Sequence, residues 1–361
     1  MMWIRMSNGF FFGVLFLLNL GCNGKAADPG ASQNANAPAA VVNSDKKEFI
    51  IYSYRHLPED DSLFQRFERV MSVSIKVIQD EPEALLQRIQ SDAGNRTCDV
   101  LILPEIGLVL QAKSQGLLQP FSSPRIDRFV PDKYRDRQGY WVAVSKGLAA
   151  IAYAKERVKP AGLGTLSDLS DKDWKSKLLM PNANDPVLQA WVAQLIAEQG
   201  EKSARDWVNT IAKNKLNTPA KNGQERLMEI AKGEADIALI SVSDYAQLKN
   251  PATHAELQMA EKTGIVLIQQ KDQTVMPYFS TISVPNHADR NNAVLFIEFL
   301  TSDPSQQIYP ARVFDYSINP MVIPTDFLID EIGGFREKEG HPNDWSVYYE
   351  MASQMLADSK W

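Results

Sequence analysis

The sequence is poor in the residues from which covalent scaffolds and metal clusters are built. Among 361 residues there are two cysteines, Cys22 and Cys98, too few for a disulfide framework, and only four histidines. The motifs G-x-S-x-G, G-x-x-x-x-G-K-[ST], H-E-x-x-H and C-x-x-C are all absent. These absences argue against the common hydrolase, nucleotide-binding, zinc-protease and dithiol classes. An exported hydrolase is kept only as an alternative, because a cleft with carboxylates can belong to a hydrolase or to a binding protein.

Basic clusters and long apolar runs are scarce as well. The chain has 38 Lys and Arg residues against 44 Asp and Glu, a net charge of −6, without the basic stripe of a nucleic-acid binder. After the N-terminal segment, no apolar run reaches the length of about 18 residues that a transmembrane helix needs. With 44% hydrophobic and 23% charged residues, the composition and length favour a globular body of two lobes that does not bind nucleic acid.

The N-terminus is typical of an export signal. Arg5 supplies a positive charge, Phe10–Leu20 form an apolar segment shorter than a membrane span, and Gly21 precedes Cys22. Residues 1–22 resemble a bacterial lipoprotein signal in which Cys22 would carry the lipid; an ordinary secretion signal with a chance cysteine is the alternative. The sequence therefore predicts a protein of the periplasm or cell surface, held to the membrane by a lipid anchor.

A tether and a wound α/β body follow. Residues 23–47 are rich in Ala, Asn, Gly, Pro and Ser without any period, which predicts a flexible tether. From Glu48 onward, strands such as "FIIYSY", "VSIKVI" and "CDVLIL" alternate with helices such as "DDSLFQRFERVM". This winding predicts a mostly parallel sheet. "YWVAV" and "LAAIAYAK" are interpreted as two strands, and the lack of a second linker predicts that the lobes share strands.

Several stretches, in order, resemble one family. They are "YSYRH", "CDVLILPEIGLVLQAKSQGLLQP", "YWVAVSKGLAAIAY", "IAKGEADIALI", "NHADRNNAVLFIEFLTSDPSQQIY" and "YSINP". Between about Phe49 and Pro324 the chain is similar to the ferric-iron-binding solute receptors of ABC importers. The resemblance implies a two-lobed type II periplasmic-binding-protein fold, each lobe a mixed, mostly parallel sheet flanked by helices. We expect lobe one to span 48–148 plus 276–325, lobe two to span 149–275, and a C-terminal helical segment, 326–361, to pack on the lobes.

The same resemblance implies a function. It implies a monomeric, non-enzymatic receptor that binds iron(III) with a synergistic anion between its lobes and hands it to a permease and its ATPase. A ligand that bridges the lobes would favour the closed state through its differential affinity. Two alternatives stay open. The same transport role could serve another solute, such as a phosphorylated compound or a small organic anion, or the protein could be a sensor or scaffold without a transport role.

Four residues are candidate metal ligands by resemblance. Ferric ion prefers oxygen ligands, and a phenol with a pKa near 10 stays deprotonated at neutral pH only beside a strong positive charge. His56 and Glu105 match a histidine and an acidic residue of the family. Asp244 aligns with one residue of the family's adjacent tyrosine pair, and Tyr245 follows one position later. The alternatives are a surface loop for His56, a helix cap for Glu105 and core packing for Tyr245.

Other family ligands are replaced in this sequence. Leu57, Val187 and Ser243 stand where the family has tyrosines, and Gly147 stands near the place of its anion-binding arginine. Lys146 could substitute there as a point charge without the bidentate fork of an arginine. The remaining candidates for the walls of the ligand cleft are Tyr54, Arg55, Asp185, Ser241 and Ser243, with Tyr54 as a packed aromatic and Asp185 and Ser243 as helix caps in the alternative interpretation.

Overall fold

The computed structural model describes residues 47–55, 62–91, 97–218, 220–249, 254–270 and 272–361, with only the backbone for 254–256. The predicted signal with Cys22, the predicted tether up to residue 46, and His56 with Leu57 lie outside the described residues. No helix within these ranges is both long and apolar enough to cross a membrane.

Strands and helices alternate along the chain. The strands are β1 Lys47–Ser53, β2 Val73–Gln79, β3 Val100–Leu103, β4 Leu118–Gln119, β5 Val142–Ala154, β6 Leu178–Leu179, β7 Ile237–Ser241, β8 Thr263–Leu267, β9 Thr274–Val275, β10 Pro277–Pro285 and β11 Arg336–Glu337. The helices are α1 Ser62–Met71, α2 Pro82–Ser91, α3 Ile106–Ser114, α4 Pro124–Phe129, α5 Pro186–Gln199, α6 Glu201–Asn214, α7 Gly223–Lys232, α8 Val242–Lys249, α9 His254–Lys262, α10 Arg290–Thr301, α11 Asp303–Gln306, α12 Tyr309–Arg312, α13 Asn343–Ser346 and α14 Tyr349–Asp358.

The main sheet is mixed. Its strand order is β2-β1-β3-β10-β5-β7-β6, with β4 paired to β10 and β8 paired to β5. The pairs β1–β2, β1–β3 and β6–β7 are parallel, whereas the pairs that involve β10 or β5 are antiparallel. The β-α winding thus gives parallel neighbours on each side, and β10 and β5 lie between them, each antiparallel to its own neighbours.

Strand β5 is one continuous strand instead of the two predicted, and it joins the two lobes. Its residues from Val142 to Leu148 pair with β10, and those from Ala149 to Ala154 pair with β7 and β8. Gly147 does not interrupt it: a Cβ there would meet the ring of Tyr278 on β10, so glycine allows that ring to lie against the strand. We call the part with β1–β4, β10 and the first half of β5 lobe one, and the part with β6–β8 and the rest of β5 lobe two.

Each lobe has its own apolar core. In lobe one, the ring of Phe296 on α10 lies 5.0 Å from the rings of Phe49 and Phe67, between sheet and helices. In lobe two, α5 buries nine of its 14 residues, among them Trp191 and Leu188. Full burial of such side chains contributes roughly 1.5–3 kcal/mol each, so each sheet is firmly covered by its helices. The cores fix the strand ends and helix starts that line the site.

Candidate functional site

A cavity lies where strand ends of lobe one face helix starts of lobe two. It encloses about 600 Å³, and we call it the cleft. Four basic and three acidic side chains line it together with two tyrosines. These polar lining residues are Tyr54, Arg55, Glu81, Asp185, Lys221, Asn222, Arg226, Ser241, Ser243, Asp244, Gln247, Tyr278 and Arg312.

Arg55 forms the charged part of the lobe-one wall. It follows the end of β1, and its Nη1 donates to Oδ2 of Asp315 over 2.7 Å. Ser145 on β5 donates to the same oxygen, also over 2.7 Å. Because Asp315 is fully buried and Arg55 mostly so, this pair is held in place and Arg55 is largely neutralised before any solute arrives.

Two phenols stand beside this ion pair. Tyr54 lies next to Arg55, whose guanidinium is 5.1 Å from the Tyr54 ring centroid, and no described residue forms a hydrogen bond with the Tyr54 hydroxyl. Tyr278 on β10 is buried and also lines the cleft. Burial raises the pKa of both phenols above the ordinary value of 10, so both are protonated at neutral pH in the free protein. They are hydroxyl donors to an anion and become metal ligands only beside a strong positive charge.

Three helices begin at the lobe-two wall, each with a cap in the cleft. Asp185 caps α5 by accepting from the Leu188 N–H over 2.9 Å, and Asn222 caps α7 by accepting from the Glu225 N–H over 2.9 Å. Burial raises the pKa of Asp185 above its ordinary range, with Asp244 adding to the effect. The other N–H groups of each first turn have no acceptor within their own helix. The lobe-two wall therefore presents the positive ends of three helices.

Ser241 and Asp244 form a capping box at the start of α8. The Ser241 hydroxyl accepts from the Asp244 N–H over 3.0 Å, and Oδ2 of Asp244 accepts from the Ser241 N–H over 3.0 Å. The same Oδ2 also accepts from the Ser241 hydroxyl over 2.6 Å, and the Ser243 and Ser241 hydroxyl oxygens are 3.0 Å apart. The carboxylate that was predicted to hold iron is thus engaged in holding the helix start.

Arg226 is one of several cleft residues, Tyr278 among them, that were not predicted from the sequence. It lies one turn into α7, is 4% exposed, and its Nε donates to the Leu239 carbonyl over 2.8 Å. Its Nη1 is buried without a hydrogen-bond partner in the part of the chain that the structure describes. The signal for it was available, because Arg226 falls in the helical period of buried Gly223, Leu227 and Ile230, where an arginine needs a polar partner.

Comparison with known proteins decides the family. Residues 95–326 match the model of the bacterial extracellular solute-binding protein family. The chain belongs to this family. The predicted resemblance to ferric-iron-binding receptors is confirmed, and so is the prediction that the chain is a solute-binding protein and not an enzyme.

Individual relatives cover most of this solute-binding protein. "Iron uptake protein A1" of Synechocystis is 27% identical over 330 residues, 91% of each chain. The structure of a ferric binding protein from Campylobacter jejuni superposes with a TM-score of 0.81 at 24% identity, covering 86% of this chain and 98% of that one. A Trichodesmium protein solved with iron and citrate ligands gives a TM-score of 0.78 at 25% identity, with 86% and 98% coverage. The predicted two-lobed α/β fold is thereby confirmed.

The structure brings only part of the predicted site of this solute-binding protein together. Tyr54, Arg55, Asp185, Ser241, Ser243 and Asp244 all line the cleft. Among the described residues, no three or more His, Cys, Asp or Glu side chains form a metal-binding group. His56, the first predicted metal ligand, lies outside the described residues.

Glu105, Tyr245 and Lys146 are not among the cleft-lining residues. Glu105 caps α3, accepting from the Ile106 N–H over 2.8 Å. The Tyr245 hydroxyl donates to the Thr263 carbonyl over 3.4 Å inside the lobe-two core, and Nζ of Lys146 donates to Glu337 over 2.7 Å. The roles of these three residues as iron or solute contacts stay predictions. In the structure each of them has another hydrogen-bond partner.

Proposed function

We propose that this solute-binding protein captures ferric iron together with a small anion in the cleft and hands the complex to an ABC permease and its ATPase. The observation that carries the proposal is the pair of buried phenols, Tyr54 and Tyr278, in a cleft that is also lined by basic side chains. Phenolate oxygen suits a hard trivalent cation, and the basic residues suit its anion. The iron and citrate ligands of the Trichodesmium relative support this choice of cargo.

The state of the phenols makes iron capture dependent on pH. Because burial raises the pKa of Tyr54 and Tyr278, each must release a proton when it binds iron. A trivalent cation supplies the positive charge that drives this release. Iron affinity is therefore expected to increase as the pH rises across the neutral range.

Delivery and location follow from the family and the N-terminus. Extracellular solute-binding proteins of importers work with a permease and an ATPase, and hinge closure of two lobes around the solute gives the permease a closed form to recognise. The lipoprotein-like residues before the fold support an anchor through Cys22 at an outward-facing membrane surface.

A second candidate is the same transport role for an anionic solute without iron. It is favoured by Val187, which lines the cleft in place of a family tyrosine, and by the protonated state of both cleft phenols. In this case Tyr54 and Tyr278 would donate hydrogen bonds to a carboxylate or phosphate, as neutral hydroxyls do.

The test is a ferric citrate titration followed by visible absorption and by metal analysis of the purified protein. We expect a tyrosinate-to-iron absorption band, and a loss of affinity of at least about tenfold in Tyr54→Phe and Tyr278→Phe, equivalent to about 1.4 kcal/mol per site. Tyr140→Phe, a half-buried tyrosine outside the cleft lining, is the matched control and should leave the band unchanged. Tight binding of citrate without iron and without the band would favour the second candidate.

A further inference from the structure

Asp315 is a buried carboxylate directly behind the cleft wall. It is not among the cleft-lining residues, but its Oδ2 accepts from Nη1 of Arg55 and from the hydroxyl of Ser145, each over 2.7 Å. The Asp315 side chain has no exposed surface, and no described residue forms a hydrogen bond with its Oδ1. A carboxylate is buried in this way only where a cation compensates it, so Arg55 and Asp315 form one electrostatic unit.

The backbone around Asp315 fixes this unit to strand β5, which joins the lobes. Phe314, directly before Asp315, has a φ of +54°, a left-handed conformation that bulky residues rarely adopt. Tyr316, directly after it, exchanges two backbone hydrogen bonds with Lys146, of 2.9 and 2.8 Å. Because Lys146 follows Ser145 on β5, the Asp315 carboxylate is held through its side chain and through its backbone. The carboxylate therefore has a fixed place, and it determines where Arg55 lies.

The charge of this unit sets the balance of the cleft. Four basic and three acidic side chains line the cleft, so one formal positive charge is in excess when Arg55 is counted as a free cation. Asp315 adds a fourth negative charge from behind the wall and makes the formal sum zero. A cleft with an uncompensated cation attracts any small anion, whereas a neutral cleft depends on the contacts that the bound group makes.

Arg55 also lies beside a proposed metal ligand. Its guanidinium is 5.1 Å from the ring centroid of Tyr54. A free guanidinium at this place would repel a trivalent cation on the Tyr54 oxygen, since like charges at such a separation oppose each other strongly in a partly buried site. With the Asp315 carboxylate on Arg55, the metal meets a neutral pair instead. Asp315 thus lowers the repulsion of a metal and at the same time withholds a cation from a free anion.

We propose that Asp315 determines the specificity of the cleft: by cancelling the charge of Arg55, it makes the cleft select a metal–anion complex over the free anion. Asp315 is a positioning residue, because it acts on the solute through Arg55 and does not line the cleft itself. This role rests on the proposed function and deepens it, since it names the pair of residues that discriminates between ferric citrate and citrate.

The test is calorimetric titration of the purified wild type and of Asp315→Asn with citrate alone and with ferric citrate, at one ionic strength. Asp315→Asn leaves Arg55 as a free cation in the cleft wall. We therefore expect citrate alone to bind about tenfold more tightly to the variant, while ferric citrate gains no affinity. Local damage to the fold would weaken the binding of both ligands, so a gain for citrate alone separates selection from a merely structural role.

Asp236→Asn is the matched control. Asp236 accepts from Nε of Arg157 over 2.7 Å in lobe two, and neither residue lines the cleft. The same chemical change therefore removes the partner of an arginine away from the solute. We expect the affinities for citrate and for ferric citrate to equal those of the wild type.

The double variant Arg55→Gln/Asp315→Asn covers the case in which Asp315→Asn does not fold. Replacing both members of a buried ion pair by neutral groups costs much less stability than removing one of them. Because the pair carries no net charge, the ratio of the ferric citrate affinity to the citrate affinity should return to within about threefold of the wild-type ratio.

Three results would overturn the role of Asp315. The first is a citrate affinity in Asp315→Asn that is unchanged or lower. The second is an equal gain for citrate and ferric citrate in that variant. The third is a ratio that differs from the wild-type ratio by about tenfold or more in the double variant, because Arg55 would then act on the solute as a free cation.

The outcome is separate from that of the iron test. If the wild type shows no tyrosinate-to-iron band but citrate binds more tightly to Asp315→Asn, iron is removed as the cargo and Asp315 keeps its role of withholding Arg55 from free anions. If the wild type shows the band and citrate binds equally to both proteins, the iron function stands and the role of Asp315 is rejected.

Discussion

Glu105, Arg226 and Lys146 are three ionisable side chains whose roles depend on the partners they meet when buried. Glu105 is 4% exposed and meets a helix start, Arg226 meets a carbonyl and the cleft, and Lys146 meets Glu337. A buried charge is tolerated only with a partner, so the identity of the partner assigns the role. Glu105 and Lys146 have partners within the fold, which indicates structural roles. Arg226 has an acceptor for its Nε, whereas its Nη1 has none among the described residues.

Glu105 gives a prediction at the scale of one residue. Burial raises its pKa to about 8, so the folded state holds its proton more tightly than the unfolded state, where the pKa is near 4.5. Its contribution to the free energy of unfolding is therefore lost as the pH rises from about 4.5 to about 8. Glu105→Gln, which still accepts from the Ile106 N–H, should remove this loss, which we expect to be roughly 2–4 kcal/mol.

The measurement is urea unfolding of both proteins between pH 5 and pH 9. Glu83→Gln, in the first turn of α2, is the control because Glu83 is exposed on the surface of the same lobe. Parallel pH profiles for wild type and Glu105→Gln would show that Glu105 ionises normally in the folded protein.

Residue roles were only partly predictable from the sequence. Asp185, Ser241 and Asp244 follow strands and open helices, so a position at the cleft wall could be predicted from local pattern. The direction of Tyr245 could not, because it depends on how α8 packs on the lobe-two core, where the ring lies 6.4 Å from that of Phe327. The burial of Arg226 could have been predicted from the helical period of α7, but its Nη1, which has no hydrogen-bond partner among the described residues, depends on how the surrounding groups are placed.

Strand β5 shows what the sequence leaves open at the scale of an element. "SKG" between two apolar runs predicts a break, because glycine weakens strands. The strand continues since glycine is required at position 147 for the ring of Tyr278 to approach. The alternation of strands and helices was predictable from local periodicity. The continuity of β5 across the two lobes was not, because it depends on the contact of Gly147 with Tyr278 on β10, 131 residues later in the chain.

Gly147→Ala tests this contact. The added methyl group would meet the Tyr278 ring, so we expect a loss of about 1–3 kcal/mol in the free energy of unfolding and weaker solute binding as the ring moves into the cleft. Gly334→Ala is the matched control, because no atom lies within 4 Å of the added group and its φ is not positive. Urea unfolding and ferric citrate titration measure both effects. If the two variants behave alike, the ring is not held against β5.

At the scale of the whole molecule, the C-terminal segment contacts both lobes. Tyr349 at the start of α14 packs in the lobe-one core against Gly107, and Ala352, Met355 and Leu356 of the same helix belong to the lobe-two core. Strand β11 pairs with β9, just before strand β10. A segment attached to both lobes would limit how they move relative to each other, so we expect it to affect closure as well as stability.

Glu337 on β11 is the polar anchor of the C-terminal segment. Its carboxylate accepts from Lys146 over 2.7 Å, from Tyr134 over 2.7 Å and from Lys133 over 2.9 Å, so Glu337→Gln would leave the mostly buried Lys146 without its counter-charge. We expect about 1–3 kcal/mol less free energy of unfolding, because an uncompensated buried charge is costly. Glu339→Gln, two residues along and exposed, should change nothing. Since Lys146 is on β5, the loosened anchor should also raise the rate of solute release, which stopped-flow exchange would measure. Normal stability with normal release would show that the C-terminal segment is held by its apolar contacts alone.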